Sequence, residues 1–281
     1  MAFLIDTHCH LHDREFFSET QTEEMLKRAH EKGVEKIICI GTNHEDSLAA
    51  RDFAGQYDNV YWTYGIHPES AGRQKSPFSE RSLAPVVTGL GHSVFGPSPN
   101  MLLERNFSSR LIAIGEVGLD YHYDGYDRTA QIKLFEEMLQ LATDNNLPVS
   151  FHVREAFDDF FPVVANFSKV RGVVHSFSDN KKNLKRILTE TDFYIGVNGM
   201  ATYSTLPTPP LERILLETDA PFLTPKPFRG IINEPAYIPE IAKWLSGKLG
   251  VDYQTIERET TKNAEQLFHI QYPVFRQARS L

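Results

Sequence analysis

Eight short apolar runs, at residues 3–8, 36–41, 61–66, 111–116, 148–153, 171–176, 193–197 and 214–219, read as β-strands with amphipathic helical patterns alternating between them. The clearest of those helical patterns lie at 22–32, 128–145, 155–167 and 181–189. Strand followed by helix, repeated eight times, predicts a parallel sheet, and eight such strands close on themselves more readily than they form an open sheet. The expected fold is therefore α/β, a (β/α)8 barrel. A barrel of this kind needs roughly 250 residues, so the 281 residues of the chain are expected to form one domain over 1–281. Two further helical patterns, at 236–249 and 253–268, follow the eighth strand and are expected outside the barrel. The one long irregular connection, about 71–110, carries Gly89, Gly91, Gly96, Pro97, Ser98 and Pro99, which break any regular pattern. A lid, an oligomer contact and a tolerated insertion are all open for it.

No run approaches the roughly 18 apolar residues that span a bilayer, and polar residues interrupt the first apolar stretch where a secretory signal would lie. A cytoplasmic location with no membrane association is the expectation. Cys9 and Cys39 fall in neighbouring apolar strands without a CxxC pattern and read as reduced, buried thiols. The formal charge of −8 argues against non-specific wrapping of nucleic acid. It leaves room for a local cationic site, because bound metal ions are not in that count. No obligate protein partner is evident in the chain.

His8 and His10, one residue apart at the end of the first strand, are the sharpest chemical signal. Side chains at i and i+2 of a strand point the same way, so both imidazoles face one point. Either a pair of hydrogen-bonded core histidines or a preformed pair of metal ligands fits that segment alone. Further residues of the same type stand at the ends of other strands: Glu116 at the fourth, His152 at the fifth, His175 at the sixth and Asp219 at the eighth. The C-terminal ends of barrel strands meet at one mouth, so His8, His10, Glu116, His152, His175 and Asp219 are expected to converge as a metal-binding set.

Ordered motifs then carry a family resemblance along nearly the whole chain. Asp6-Thr7-His8-Cys9-His10-Leu11, Gly65-Ile66-His67-Pro68, Ile114-Gly115-Glu116-Val117-Gly118-Leu119-Asp120-Tyr121, His152-Val153-Arg154-Glu155-Ala156, Val174-His175-Ser176-Phe177-Ser178 and Glu217-Thr218-Asp219-Ala220-Pro221 resemble those of the TatD family of metal-dependent deoxyribonucleases. Arg229-Gly230, Asn233-Glu234-Pro235-Ala236-Tyr237 and Asn263-Ala264 before Leu267-Phe268 agree. The resemblance implies a TIM-like barrel of the metal-dependent hydrolase type, hydrolysis of phosphodiester bonds in nucleic acid, and Mg or Mn as the activating metal. It implies that His8, His10 and Asp219 hold one divalent ion and His152 and His175 a second, with Glu116 bridging. The chain departs from the pattern at His12, where the family usually has an acidic residue, and in the length of the 71–110 connection.

The ligand types make chemical sense. Four imidazoles and two carboxylates suit Zn, Fe, Co or Mn, whereas Mg prefers oxygen, so the donor set and the resemblance pull apart on the metal. Two divalent ions outweigh the charge of Glu116 and Asp219, which makes the mouth attractive to a phosphodiester. Glu116 and Asp219 are the candidate catalytic carboxylates, Asp219 as the group that orients the attacking water and takes its proton. Candidate substrate-binding residues are His67, Arg154 and Arg229, the arginines as phosphate forks. Tyr121, Tyr123, Phe177, Phe222 and Phe228 stand where they stack on a terminal base or pack loops. The pairs Asp158-Asp159 and Lys181-Lys182 read as solvated helix faces, and His30, His44, His92 and His269 receive no role.

No GxxxxGK[ST], GxGxxG after a strand, or GxSxG occurs, which removes nucleotide-driven, dinucleotide and serine-hydrolase readings. With the resemblance, the sequence predicts a nuclease acting on DNA, with RNA also open, by metal-activated water: a 3′ to 5′ exonuclease preferring single strands or frayed ends. The polarity comes from the resemblance alone. A metallohydrolase of an ester or amide, such as a D-aminoacyl-tRNA deacylase, is the alternative on the same barrel, since fold does not fix substrate. A binding protein with a purely structural metal is the third reading.

Overall fold

The computed structural model describes residues 3–71 and 110–270, together with a two-residue antiparallel pairing of Val86–Val87 with Ser93–Val94. Most of the 71–110 connection, with His92, therefore lies outside the described residues, as does the chain beyond 270. Eight strands form one parallel sheet in chain order: β1 (Leu4–Cys9), β2 (Val34–Cys39), β3 (Val60–Tyr64), β4 (Leu111–Asp120), β5 (Val149–Arg154), β6 (Gly172–Val174), β7 (Tyr194–Val197) and β8 (Ile214–Leu216). Beyond β8 the chain turns back against β1. Asp219 N donates to His8 O at 2.8 Å and His10 N to Ala220 O at 2.8 Å, with Cys9 bridged to Ala220 in parallel register. The sheet thus closes into the expected barrel at its C-terminal rim.

The helices are α1 (Glu19–Glu31), α2 (His44–Ala54), α3 (Arg128–Asp144), α4 (Phe157–Ala165), α5 (Lys181–Glu190), α6 (Ile238–Leu249) and α7 (Tyr253–Phe268). Local chemistry sets their ends. A capping box between Ser18 and Gln21 starts α1 earlier than its apolar period suggests, and Asn43, Asp127, Asn180 and Asp252 each accept a backbone N–H as N-caps. Helix α4 is shorter than its pattern, beginning after Glu155, whose φ of 54° is not helical.

The strict eightfold alternation does not hold. Between β7 and β8 the chain makes only 3-10 turns, at Gly199–Thr202 and Leu211–Arg213. Pro207, Pro209 and Pro210 stand in that link, and prolines lack the N–H and clash with the preceding turn of an α-helix.

Two apolar layers hold the structure. The larger lies between sheet and helices, where Phe151 of β5 meets Phe135 of α3 and Phe160 of α4 at centroid distances of 6.0 and 5.3 Å. Burying rings of that kind contributes roughly 1.5–3 kcal/mol each. The smaller joins Ile5 of β1, Ile38 of β2, Ile112 of β4, Val173 of β6 and Leu215 of β8. Strands that are not neighbours share contacts only in the lumen. Ala264, Leu267 and Phe268 of α7 belong to the same cluster, and Thr261 of α7 bonds to Phe3 O. Helix α7 therefore covers the N-terminal end of the barrel instead of lying apart from it. That leaves the C-terminal end as the open one.

Candidate metal centre at the barrel mouth

The six residues expected to form the metal-binding set lie close together at that open end. Glu116 is at the centre. Its Oε1 lies 2.7 Å from His152 Nδ1 and 2.9 Å from His175 Nε2, and its Oε2 lies 3.5 Å from His8 Nε2. Asp219 Oδ1 is 3.7 Å from His8 Nε2 and 3.6 Å from His10 Nε2. Two ligand-type triads result, His8–His10–Asp219 and Glu116–His152–His175, each with its donor atoms within 4.8 Å of one another.

Backbone irregularity aims these groups. The β4–β5 register shifts between Ile114 and Val117, and Glu116 N donates to Gly41 O at 2.7 Å, so the strand is bent where its carboxylate must point into the mouth. Gly118 permits this: its φ is 151°, and a Cβ there would sit 1.9 Å from His152 O. Asp219 lies beyond the last paired residue of β8, at φ 60°, a region that Asp tolerates better than most residues. The two bonds that close the barrel, between the His8–His10 and Asp219–Ala220 segments, are the same bonds that hold His8, His10 and Asp219 together.

The electrostatics suit a cation. Burial pushes the Glu116 carboxyl up, yet His175, His152 and His8 together hold it well below the usual range. Burial likewise raises Asp219, and His10, His8 and His175 bring it down. Both carboxylates are ionised at neutral pH. His8 Nε2 is buried with no hydrogen-bond partner. It stands 3.5 and 3.7 Å from two carboxylate oxygens, too far for good hydrogen bonds. An orphaned imidazole nitrogen facing two carboxylates is the arrangement a divalent ion satisfies, so the residues present fit one.

Outer groups orient the inner ones. His10 Nδ1 bonds Ile40 O at 3.1 Å, which leaves Nε2 without its hydrogen in the neutral ring. His152 Nε2 meets Asp120 Oδ2 at 2.8 Å, and Glu217 Oε1 lies 3.7 Å from His175 Nδ1. Asp6, fully buried, accepts from Thr218 N and Oγ1 and from His8 N. Burial is the first cause that lifts its pKa to about 8, against those hydrogen bonds. The sequence reading missed Asp6, Asp120 and Glu217. Their signal was present: each is a carboxylate inside an apolar strand or motif, two to four residues from a proposed ligand.

The second-tier residues separate. His67 lines the mouth, and its Nδ1 accepts from Glu69 N, so Nε2 carries the hydrogen of the neutral ring and points toward Glu116 Oε1 at 3.8 Å. Burial lowers its pKa to about 4, against the pull of Glu116. Arg154 also lines the mouth, its guanidinium 5.2 Å from the Tyr123 ring. Arg229 is not brought there; its guanidinium lies 3.9 Å over the Tyr203 ring. His12 is buried and bonded at 2.9 Å to Oδ1 of Asp46, which itself lines the mouth. His30 pairs with Glu35, His44 with Tyr64 and His269 with Arg171, none of them at the mouth. Cys9 and Cys39 are buried free thiols at paired positions of β1 and β2.

A parallel barrel with this donor set at its C-terminal mouth defines the class of metal-dependent barrel hydrolases, and comparison with known proteins narrows it. The family model described as TatD related DNase matches residues 5–269, and the chain belongs to that family. It is similar to the uncharacterized metal-dependent hydrolase YabD of Bacillus subtilis, 31% identical over 276 residues, which cover 95% of this chain and 99% of that one. It is also similar to the 3′-5′ ssDNA/RNA exonuclease TatD of Citrobacter rodentium, 30% identical over 262 residues, 88% of this chain and 92% of that protein. Among solved structures, the TatD homolog YjjV from Escherichia coli K12 superposes with a TM-score of 0.76 at 29% identity, covering 95% of this chain and 98% of that one. The protein is thus a metal-dependent hydrolase. No helix among the described residues is long and apolar enough to cross a membrane.

Proposed function

We propose that this protein is a divalent-metal-dependent nuclease that removes nucleotides from the 3′ end of single-stranded or frayed DNA, with RNA open to the same chemistry. The observation that carries the reading is the central placement of Glu116, whose two oxygens face His152 and His175 on one side and His8 on the other. His8, His10 and Asp219 would hold one divalent ion and His152 and His175 another, with Glu116 between them; Mg or Mn is the metal we favour. When bound, such ions supply charge that stabilises a phosphorane-like transition state and lowers the pKa of water.

The chain's own groups have distinct tasks. Asp219 Oδ1 receives the proton of the attacking water. His67 Nε2–H donates to a phosphate oxygen, and the Arg154 guanidinium neutralises the phosphate from the His152 side. The mouth is lined by loops from several strands, which admits an unpaired end more easily than a continuous duplex. Support for the direction of digestion comes from the named activity of the Citrobacter relative.

The test is digestion of 5′-labelled single-stranded DNA by metal-stripped protein with Mg²⁺ or Mn²⁺ restored, Glu116→Ala serving as control. A ladder that shortens from the 3′ end, absent in the variant, is expected. Absence of cleavage with every metal, by folded protein that binds metal, would move the assignment to an aminoacyl ester or amide.

A further inference from the structure

We propose that Phe16 and Phe222 form a stacking platform for the terminal nucleobase of a single strand whose phosphodiester lies at the metal centre. The proposal rests on the nuclease reading and deepens it.

Among the described residues, six large hydrophobic side chains are exposed, and three of these, Phe16 at 43%, Phe222 at 49% and Tyr123 at 55%, line the same cavity as the proposed metal ligands. A lone exposed phenylalanine is ordinary; two in contact at the lip of a charged, polar mouth are not. Their rings meet edge to face, with centroids 5.4 Å apart and planes 81° from parallel. A corner of that kind leaves ring face free for a third flat apolar group.

Both rings are tied to proposed ligands by tight turns. Phe222 N donates to Asp219 O at 2.8 Å, and Asn233, itself buried, clamps Phe222 O at 2.6 Å. On the other side Asp13 N donates to His10 O and Phe17 N to Asp13 O, while the buried Phe17 ring anchors the loop and leaves Phe16 outside. The platform therefore stands at a set distance from the metal centre. Across the mouth, Arg154 Nη1 donates to Tyr123 Oη at 3.3 Å and brings a cation to the His152 side. Flat apolar surface on one side of the centre and positive charge on the other is the complement of a nucleotide, which joins a flat base to an anionic phosphate through one sugar.

The remaining aromatics near the rim are already engaged. Phe177 is buried, Phe228 stacks on Tyr237 at 4.5 Å, and Tyr121 stacks on Tyr126 and bonds Asp159. A base inside a duplex has both faces covered by its neighbours, so the base that lies on Phe16 and Phe222 is one at a strand end. The platform thus supplies a reason for preferring ends that the metal centre does not.

The test uses full-length protein loaded with Mn²⁺ and titrated against single-stranded oligonucleotides carrying 2-aminopurine as the 3′-terminal base behind a cleavage-resistant phosphorothioate linkage, beside the same strand with an abasic 3′-terminal nucleotide. Transfer of the terminal base from its neighbouring base to the phenyl rings of the wild type raises the emission of the fluorophore. Phe16→Ala with Phe222→Ala removes that rise and weakens binding of the intact end by about 5- to 150-fold, the range for loss of one base stack. Binding of the abasic end is unchanged, and Phe222→Trp restores the intact end. On cleavable intact ends, the double variant raises KM and leaves kcat within about twofold. Equal binding of intact ends by wild type and double variant, or equal loss on intact and abasic ends, overturns the platform while cleavage by the wild type still supports the nuclease reading. If the wild type does not cleave ends without the phosphorothioate, the nuclease reading fails and the platform fails with it.

Discussion

The imidazole rings of His8 and His175 lie stacked, with centroids 3.9 Å apart and planes 11° from parallel. They come from β1 and β6, which are not neighbours in the sheet, so the contact crosses the lumen. Each ring sends Nε2 toward a different oxygen of Glu116. Burial and the neighbouring His175 depress the His8 pKa, which keeps that ring neutral and able to act as a ligand. The stack therefore joins the two proposed metal subsites.

Glu217 stands behind His175, whose buried Nδ1 has no hydrogen-bond partner, and away from the mouth. Its carboxylate is fully buried, Oε1 accepts from Ser176 N at 2.6 Å and lies 3.7 Å from His175 Nδ1, and Oε2 has no partner. Gly196 leaves the room, since a Cβ there would sit 2.2 Å from Glu217 Oε2. Glu217→Gln should weaken binding of Mn²⁺ by about 10- to 100-fold, read by calorimetric titration of metal-stripped protein. Unchanged affinity would show that His175 is held by packing alone.

Asp219→Asn keeps the size of the side chain and its bond geometry but loses the proton acceptor. We expect kcat to fall by about 10²- to 10⁴-fold, measured by single-turnover digestion with metal content determined alongside. Near wild-type turnover with full metal occupancy would remove Asp219 from the proton transfer.

Asp46 gives a pH signature outside the proposed ligand set, although it lines the same mouth. Burial raises its carboxyl, but the bond from His12, the charge of His12 and the bonds from Thr42 N and Oγ1 bring it down to about 2. A folded value below the unfolded one means stability that is present above about pH 4 and lost as the pH falls toward 2. A shift of this size corresponds to roughly 2 kcal/mol. Asp46→Asn should lower stability near pH 7 by about that amount and flatten the decline between pH 4 and 2, followed by urea unfolding at each pH. Parallel curves for wild type and variant would contradict the assignment.

Gly118→Ala tests the close approach of β4 to β5. The added Cβ meets the backbone carbonyl of His152, which cannot rotate away, and φ of 151° is strained for alanine. Destabilisation of about 3 kcal/mol or more is expected, with loss of metal binding in the fraction that stays folded. Thermal unfolding and metal titration of the variant would show it.

The amino-acid pattern by itself determined the barrel and brought six ligand-type residues to one rim, because strand periodicity and parallel order are local properties and every parallel barrel gathers its strand ends. It did not reveal that the β7–β8 link is 3-10, although its prolines carried the signal. Nor did it show that α7 seals the barrel floor, since an amphipathic helix does not disclose which apolar surface it will cover. Tertiary structure alone decided the finer assignments. Arg229 lies on Tyr203 while Arg154 faces the mouth, Glu217 and Asp120 stand behind His175 and His152, and Phe16 meets Phe222 across 206 positions of sequence. Each depends on which way a side chain turns after distant strands are fixed side by side, and barrel closure, through the bonds between the His8–His10 and Asp219–Ala220 segments, is the event that fixes them.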